Sequence, residues 1–315
     1  MEHDLQPKKV VTAHIIKAFT DGNLGGNPAA VVIDELAEGK YLEPQEKQEI
    51  AAQIGVSETV FVRERELGAY DLEFYTPTRQ IDFCGHATIA AFSLLDEFNE
   101  HFFGGYTARL GAQDKSLDID IHGDHIAMRL SPSGDFGLLS FGWDDEQTKE
   151  REDKVLKALG LGRRDLDGAS PIHIGNLGNG FVLVPVKSSE TLRRIRPDMP
   201  AISHLSAEFN VVGFYPFTRD TVIKGRDASA RMFAPAYGID EESATGMAAA
   251  VLAQHLYCDR GLRQPKILIE QGRHMKRSSP SLIEAQMTTG IFGSRLKQIE
   301  IGGRAKKTDE FQLVL

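Results

Sequence analysis

Residues 75–95 read YTPTRQIDFCGHATIAAFSLL, and residues 233–253 read FAPAYGIDEESATGMAAAVLA. The two stretches align without a gap when 158 is added to each number of the first, and six of their 21 positions are identical. In both, a strand-like run ends at a proline, a polar turn follows and an alanine-rich helix begins. An internal repeat of this kind predicts a duplicated α+β fold. The alternative is two unrelated alanine-rich helices that each follow a proline turn.

The length of 315 residues suits two domains, because single hydrophobic cores stop growing at roughly 250–300 residues. The best linker candidate is the turn-forming stretch Ser131-Pro132-Ser133-Gly134. We therefore expect an N-terminal lobe of residues 1–130 and a C-terminal lobe of residues 131–304.

The composition is that of a folded, soluble protein, with 41% hydrophobic and 26% charged residues. A formal net charge of −9 disfavours binding to nucleic acid, although a local group of backbone N–H donors can still bind a small anion. No apolar run approaches the ~18 residues of a membrane span, and no secretory signal is visible. The two cysteines, Cys84 and Cys258, form no disulfide framework, so we expect a cytoplasmic protein.

Local patterns predict short strands that alternate with helices. Around the repeat we expect a strand over residues 56–63, a helix that opens at Cys84 and runs to Leu95, and a second helix after Gly246. Elsewhere the patterns predict helices over residues 44–54 and 153–159 and strands over residues 10–19, 29–33, 209–215 and 311–315.

The two predicted helix N-termini are candidate binding elements. A helix N-terminus carries unpaired N–H groups and about half a positive charge, so it attracts carboxylates. The first is Gly85-His86-Ala87-Thr88 and the second is Ala244-Thr245-Gly246-Met247, where the small residues let a ligand approach the backbone. If the two halves pack by pseudo-symmetry, the termini can face each other across a cleft.

Glu58 is the candidate acid–base residue. Strand alternation places it on the same face as Val56, Val60 and Val62, an apolar face that should point inward. Burial there would raise its pKa, which suits a group that exchanges protons near neutral pH. The alternative is that strand twist or an end position lets Glu58 reach water.

His86 and Glu242 are further candidates. His86 follows Gly85 at a helix start, where the charged imidazole is disfavoured, so it would act as a neutral hydrogen-bonding group or proton relay. An isolated histidine can equally be structural. Glu242 lies 158 residues after Cys84, in the acidic run Asp240-Glu241-Glu242. For Asp240 and Glu241 we favour a simple capping role.

At these residues the sequence resembles the PhzF-like family of phenazine biosynthesis, which shares a duplicated fold with diaminopimelate epimerase. Each matching piece is weak alone, but they occur in family order over nearly the whole chain. The pieces are Gly25-Gly26-Asn27-Pro28-Ala29-Ala30-Val31, Ser57-Glu58-Thr59-Val60-Phe61, Tyr75-Thr76-Pro77, Cys84-Gly85-His86-Ala87-Thr88, Arg231-Met232-Phe233-Ala234-Pro235-Ala236-Tyr237-Gly238, Ala244-Thr245-Gly246 and Gln271-Gly272.

The resemblance implies an α+β diaminopimelate epimerase-like fold, in which each lobe is a curved, mostly antiparallel sheet around a central helix. The last strand, about residues 305–315, would return to the first lobe. It also implies a cofactor-independent, metal-free isomerase that moves a proton between carbons of a small, cyclic carboxylic acid, and a homodimer. The family's catalytic residues fall on Glu58, His86 and Glu242. The expected substrate-binding residues are Ser57, Gly85, Ala87, Thr88, Thr245, Gly246 and Asn27.

Three positions depart from the family pattern. Glu242 stands where an aspartate is usual, Ser243 where proline or alanine is common, and Met247 where a serine is expected. Met247 fills space and removes a hydroxyl donor, so the natural substrate need not be the phenazine precursor.

Two alternatives remain open. A two-base racemase or epimerase on the same fold often uses a pair of cysteines, and Cys84 would be one of them. The repeat partner of Cys84 is Glu242, however, and Cys258 is better interpreted as a small buried apolar residue. The other alternative is a ligand-binding homologue without turnover.

Overall fold

The structure is a computed structural model that describes residues 9–36, 39–98, 105–110, 115–132, 145–168, 170–290 and 296–315. Contacts divide the chain into two compact units. Unit 1 comprises the described residues of Met1–Ala18, Pro28–Ile126 and Arg304–Leu315, and unit 2 those of Phe19–Asn27 and Ala127–Gly303. Within the linker candidate, Ser133 and Gly134 lie outside the described residues.

Six α-helices and 17 strands are present in the described parts of the chain. The helices are α1 (Pro44–Ile54), α2 (Gly85–Phe98), α3 (Asp145–Ala158), α4 (Ser189–Arg193), α5 (Met199–Phe209) and α6 (Gly246–Cys258). The strands are β1 (Val10–Thr20), β2 (Asn27–Ile33), β3 (Thr59–Glu66), β4 (Ala69–Tyr75), β5 (Gln80–Ile81), β6 (Gly105–Leu110), β7 (Lys115–His122), β8 (His125–Leu130), β9 (His173–Asn176), β10 (Gly180–Pro185), β11 (Gly213–Thr218), β12 (Ala228–Ala230), β13 (Met232–Ala234), β14 (Ile239–Glu242), β15 (Lys266–Gln271), β16 (Ser281–Thr289) and β17 (Leu296–Val314).

The two units repeat one order of strand pairing. In unit 1, β2 pairs parallel with β3, β3 antiparallel with β4, β4 parallel with β6, and β6 antiparallel with β7. In unit 2, β10 pairs parallel with β11, β11 antiparallel with β12, β12 parallel with β15, and β15 antiparallel with β16. Parallel pairs need a crossover connection, and helices supply it at the matching places in both units. The internal repeat is therefore a repeat of the fold.

The offset of 158 residues does not hold at the helices. β4 ends at Tyr75 and β13 ends at Ala234, whereas α2 begins at Gly85 and α6 begins at Gly246, 161 residues later. The carbonyl of Cys84 accepts the first helical hydrogen bond of α2 from Thr88, and the carbonyl of Thr245 accepts that of α6 from Ala249. The helix-start counterpart of Cys84 is thus Thr245 and not Glu242, because the second turn is longer than the first.

Helices α2 and α6 are the buried helices of their units. All residues of α6 from Gly246 to Tyr257 are buried, and α2 is buried over most of its length. A helix that is apolar all round has to lie in a core, and alanine lets neighbouring backbones approach. At the start of α6, a Cβ on Gly246 would lie 3.1 Å from the Phe19 ring and 3.2 Å from Ile301, so glycine permits that close packing.

The C-terminal residues pack in unit 1. Leu313 and Leu315 lie against a core cluster that includes Ile50 of α1 and Phe61 of β3. The Leu315 N–H donates to the Lys9 carbonyl at 2.9 Å. The end of β17 therefore completes the same core as the first strand.

Several element predictions are wrong. Residues 209–215 were expected to form one strand, but α5 runs to Phe209 and β11 begins at Gly213. Asp198 caps α5 and the left-handed Asn210 ends it, two local signals that override the apolar run. Helix α3 begins at Asp145, earlier than the predicted residue 153, and β17 is a strand of 19 residues rather than a short terminal one. Where the chain is described, it contains no helix both long and apolar enough to cross a membrane.

Candidate active site

Glu58 lies in the connection between α1 and β3. Its backbone carbonyl accepts a hydrogen bond from Ala30 of β2 at 3.0 Å, and only 3% of the residue is exposed. The predicted strand over residues 56–63 actually begins at Thr59, and Thr59 and Phe61 are as buried as Val60 and Val62. The alternation argument was therefore wrong, because both faces of β3 are covered. Glu58 is buried at the entrance of a fully covered strand.

The start of α2 brings two side chains to Glu58. Nε2 of His86 lies 3.2 Å from Oε2 of Glu58, and Sγ of Cys84 lies 3.3 Å from Nδ1 of the same imidazole. All three side chains are buried. The imidazole thus bridges a thiol and a carboxylate. Sequence analysis selected Glu58 and His86 but did not place Cys84 against His86; the spacing of two residues at a helix start was the available signal.

Burial alone raises the pKa of the Glu58 carboxyl, but the imidazole of His86 and a hydrogen bond from Ser57 lower it further. The net result is a pKa below the ordinary glutamate value, opposite to the expectation from the sequence. Burial was predicted correctly; the compensating partners were not considered. The pairing keeps Glu58 ionised near neutral pH, as a base requires.

Unit 2 contains a second polar cluster around Glu242, which ends β14 and is 8% exposed. Oε1 of Glu242 accepts a hydrogen bond from the Asn27 amide at 2.9 Å, and Oε2 accepts one from the Thr245 hydroxyl. The Asn27 amide also donates to the Ala244 carbonyl at 3.0 Å. Each carboxylate oxygen of Glu242 therefore has a neutral donor.

Gln271 and Tyr215 support this cluster and were not predicted as site residues. The Gln271 amide donates to the Glu242 carbonyl at 2.8 Å and to the Thr245 hydroxyl at 3.2 Å, and its oxygen accepts from the Tyr215 hydroxyl at 2.9 Å. That oxygen also accepts from the Thr245 backbone N–H at 3.2 Å. The Thr245 N–H, expected to bind a substrate carboxylate, is thus already engaged. Burial, with the charge of Glu242, raises the pKa of Tyr215, so its hydroxyl remains a donor.

A glycine turn positions Asn27. Gly25 and Gly26 both have positive φ angles, of 55° and 87°. A Cβ on Gly25 would lie 2.0 Å from the Pro280 carbonyl oxygen, which only glycine avoids. The Gly26 carbonyl accepts hydrogen bonds from the hydroxyls of Ser243 and Ser279, at 3.0 and 2.7 Å. The turn is fixed by packing and hydrogen bonding.

A third buried polar group lies at the other end of α6 from Gly246. The Ser170 hydroxyl contacts Nε2 of His173 at 3.0 Å and Nε2 of His255 at 3.2 Å. Nδ1 of His255 lies 3.0 Å from the Asp259 carboxylate. Burial, with the neighbouring His255, lowers the pKa of His173 to about 4. No sequence signal had selected this group, which brings together residues far apart in the chain.

The chain was compared with known proteins. The model of a family described as phenazine biosynthesis-like protein, PhzC-PhzF, matches residues 16–310. An uncharacterized isomerase from Clostridium acetobutylicum is 32% identical over 248 residues, which are 76% of this chain and 77% of that protein. A trans-2,3-dihydro-3-hydroxyanthranilate isomerase from Pseudomonas fluorescens is 31% identical over 77% of this chain and 78% of its own length.

Solved structures agree. A phenazine biosynthesis protein of the PhzF family from Bacillus anthracis superposes with a TM-score of 0.81 at 26% identity, covering 97% of this chain and 99% of that one. A hydroxyproline epimerase from Agrobacterium vitis, at 14% identity and a TM-score of 0.55, covers 97% of this chain and 91% of its own. The second likeness shows that the fold extends to the proline and hydroxyproline epimerases.

Proposed function

Because this chain belongs to the phenazine biosynthesis-like family, PhzC-PhzF, whose members include isomerases, we propose that it moves a proton between two carbons of a small, cyclic carboxylic acid. Glu58 is the acid–base group, and neither a metal nor a cofactor takes part. The observation that carries the proposal is the buried contact of 3.2 Å between Glu58 and His86. It holds a carboxylate ionised in a site with little access to water.

The proton transfer is balanced within the substrate. The Glu58 carboxylate takes a proton from one carbon, and the electron pair of that C–H bond moves into the adjacent unsaturated system. The protonated Glu58 then returns the proton to a different carbon of that system. Burial favours the neutral carboxylic acid that exists between the two steps, so the same environment supports both transfers.

The other residues bind and orient. In this proposal the N-terminus of α2, at Gly85, Ala87 and Thr88, attracts the substrate carboxylate, because helix N-termini stabilise anions. His86 holds the Glu58 carboxylate, and Ser57 donates a hydrogen bond to it.

The cluster around Glu242 is proposed to bind a polar group of the substrate. Asn27 and Thr245 hold the Glu242 carboxylate in one orientation, and Gly246 leaves space beside the helix start. Met247 is buried next to it and replaces the expected serine, which favours a substrate that differs from the dihydrohydroxyanthranilate of the Pseudomonas relative.

One observation favours one-base over two-base chemistry. The helix-start counterpart of Cys84 is Thr245, whose hydroxyl is a poor acid–base partner for a thiol. A paired-cysteine mechanism therefore lacks its second thiol.

The test is incubation in deuterium oxide with trans-2,3-dihydro-3-hydroxyanthranilate, other cyclic unsaturated carboxylic acids, L-proline and trans-4-hydroxy-L-proline. We expect label at a new carbon of an unsaturated acid, and loss of about 10²–10⁴-fold in rate for Glu58→Gln. The matched control is Glu64→Gln, an exposed glutamate of β3, which should retain the rate. Full turnover by Glu58→Gln, or label only at the α-carbon of the prolines with inversion, would reject one-base isomerisation.

A further inference from the structure

Glu58, Cys84 and His86 form a cluster whose donor atoms differ in kind. A carboxylate oxygen, a thiol sulfur and an imidazole nitrogen lie within 4.8 Å of one another. All three residues are buried. Across the part of the chain that the structure describes, this is the group of three or more such residues close enough to hold a metal ion.

We propose that these three residues bind Zn²⁺, and that the bound ion inhibits the isomerase by occupying its base. The binding itself is independent of the proposed function, whereas the inhibition rests on it.

The donor set fits zinc better than it fits magnesium or calcium. Zinc accepts mixed sulfur, nitrogen and oxygen ligands, and many zinc sites use three protein ligands with a fourth position left open. Magnesium and calcium prefer oxygen ligands alone. The thiol of Cys84 therefore selects for zinc.

The distances are close to those of a zinc site. Zn–ligand bonds of about 2.0–2.3 Å in a tetrahedron place neighbouring ligand atoms roughly 3.3–3.8 Å apart. The thiol and the carboxylate already lie 3.3 and 3.2 Å from the imidazole, although they contact different ring nitrogens. Binding through all three ligands therefore requires the ring or the carboxylate to rotate by about the 1 Å that separates 4.8 Å from the tetrahedral range.

Charge also favours a divalent ion. With Cys84 as a thiolate, Glu58 as a carboxylate and His86 neutral, the ligands carry two negative charges that Zn²⁺ neutralises. Neutrality matters because a buried net charge is costly. Thiolate formation releases a proton, so affinity should increase as pH rises through the neutral range.

The consequence for activity is direct. A carboxylate that coordinates zinc no longer has the free electron pair with which to remove a proton from carbon. Zinc would therefore inhibit by removing the base, and a chelator should restore the rate.

The test uses Co²⁺ as a spectroscopic substitute on the metal-free full chain. We expect one equivalent to give intense visible absorption typical of tetrahedral cobalt, with a thiolate-to-cobalt charge-transfer band. Cys258→Ser is the matched control, since it removes the other cysteine and should leave the spectrum unchanged. Cys84→Ser should lose the charge-transfer band, and Glu58→Gln should weaken binding by at least about tenfold.

A second measurement guards against misfolded variants. Zn²⁺ should raise the melting temperature of the wild type and Cys258→Ser but not of Cys84→Ser, while Mg²⁺ should have no such effect. Inhibition is compared with each variant's own zinc-free rate. A charge-transfer band that survives in Cys84→Ser, unchanged affinity in Glu58→Gln, or no stoichiometric cobalt binding by the wild type would overturn the site. Zinc binding without inhibition would instead count against Glu58 as the base.

Discussion

Nε2 of His86 lies 3.2 Å from Oε2 of Glu58, and both side chains are almost completely buried. A buried carboxylate would ordinarily be protonated, since burial penalises its charge. Here the imidazole compensates for that penalty, and the pKa of Glu58 falls below its ordinary value. The relationship turns a residue that could have been an inert acid into a base.

The pH dependence of activity should report this pairing. Glu58 must be ionised to remove a proton, so kcat/KM should decline only as pH falls through a pKa below 4.5. In His86→Gln the lowering partner is lost while burial remains, so the acidic limb should move above 4.5. The measurement is a pH–rate profile. His204→Gln, an exposed histidine, is the control and should leave the limb in place; an unmoved limb in His86→Gln would contradict the pairing.

Asn27 should stabilise unit 2 through Glu242. Asn27→Ala removes the 2.9 Å hydrogen bond to a buried carboxylate oxygen and the 3.0 Å bond to the Ala244 carbonyl. Leaving such acceptors unsatisfied costs about 1–3 kcal/mol, which urea unfolding should detect. Asn23→Ala, in an exposed turn, should change the free energy of unfolding by less than about 0.5 kcal/mol. Equal effects of the two substitutions would show that the Asn27 bonds contribute nothing.

Gly25 should tolerate substitution much less than Gly22. Both have positive φ angles, of 55° and 61°, so alanine pays a similar backbone cost of roughly 1 kcal/mol at each. A Cβ at position 25 would additionally lie 2.0 Å from the Pro280 oxygen, whereas position 22 has nothing within 4 Å. Gly25→Ala should therefore be less stable than Gly22→Ala by about 1–3 kcal/mol in chemical denaturation. Similar values for the two variants would rule out the close approach.

Acid should destabilise the protein partly through His173. Its pKa is lowered to about 4 in the folded chain, against 6.5 for a free histidine. Between these values only the unfolded state takes up the proton, so stability should fall as pH drops from about 6.5 to about 4 and then level off. The contribution is on the order of 2–3 kcal/mol.

His173→Asn should reduce that decline, measured as the free energy of unfolding at pH 7 and at pH 4.5. His204→Gln, whose imidazole is exposed, should leave the decline unchanged. A wild-type slope retained in His173→Asn would assign the acid sensitivity to other groups.

Local sequence signals located much of the structure. Helix α1 was predicted to the residue, because Pro44 opens it and Gly55 ends it in the left-handed conformation. The helix starts at Gly85 and near Gly246 were also predicted, since a polar turn precedes an alanine-rich run at each. Such boundaries depend on neighbours in sequence, which a single chain reveals.

Contacts between distant residues were not predictable in this way. The Tyr215–Gln271 hydrogen bond joins residues 56 positions apart, and neither side chain stands out in its own strand. The lowered pKa of Glu58 likewise depends on a helix that begins 27 residues later. The longer turn before α6 escaped notice because chance alanine matches supported a gapless alignment.

The packing of Leu313 and Leu315 against Ile50 bears on how the chain folds during its synthesis. Translation delivers every residue of unit 2 by Gly303, while the core around α1 must wait for side chains made at least ten codons afterwards. On the ribosome, unit 2 can thus fold while unit 1 is still incomplete, although unit 1 contains most of the residues synthesised first.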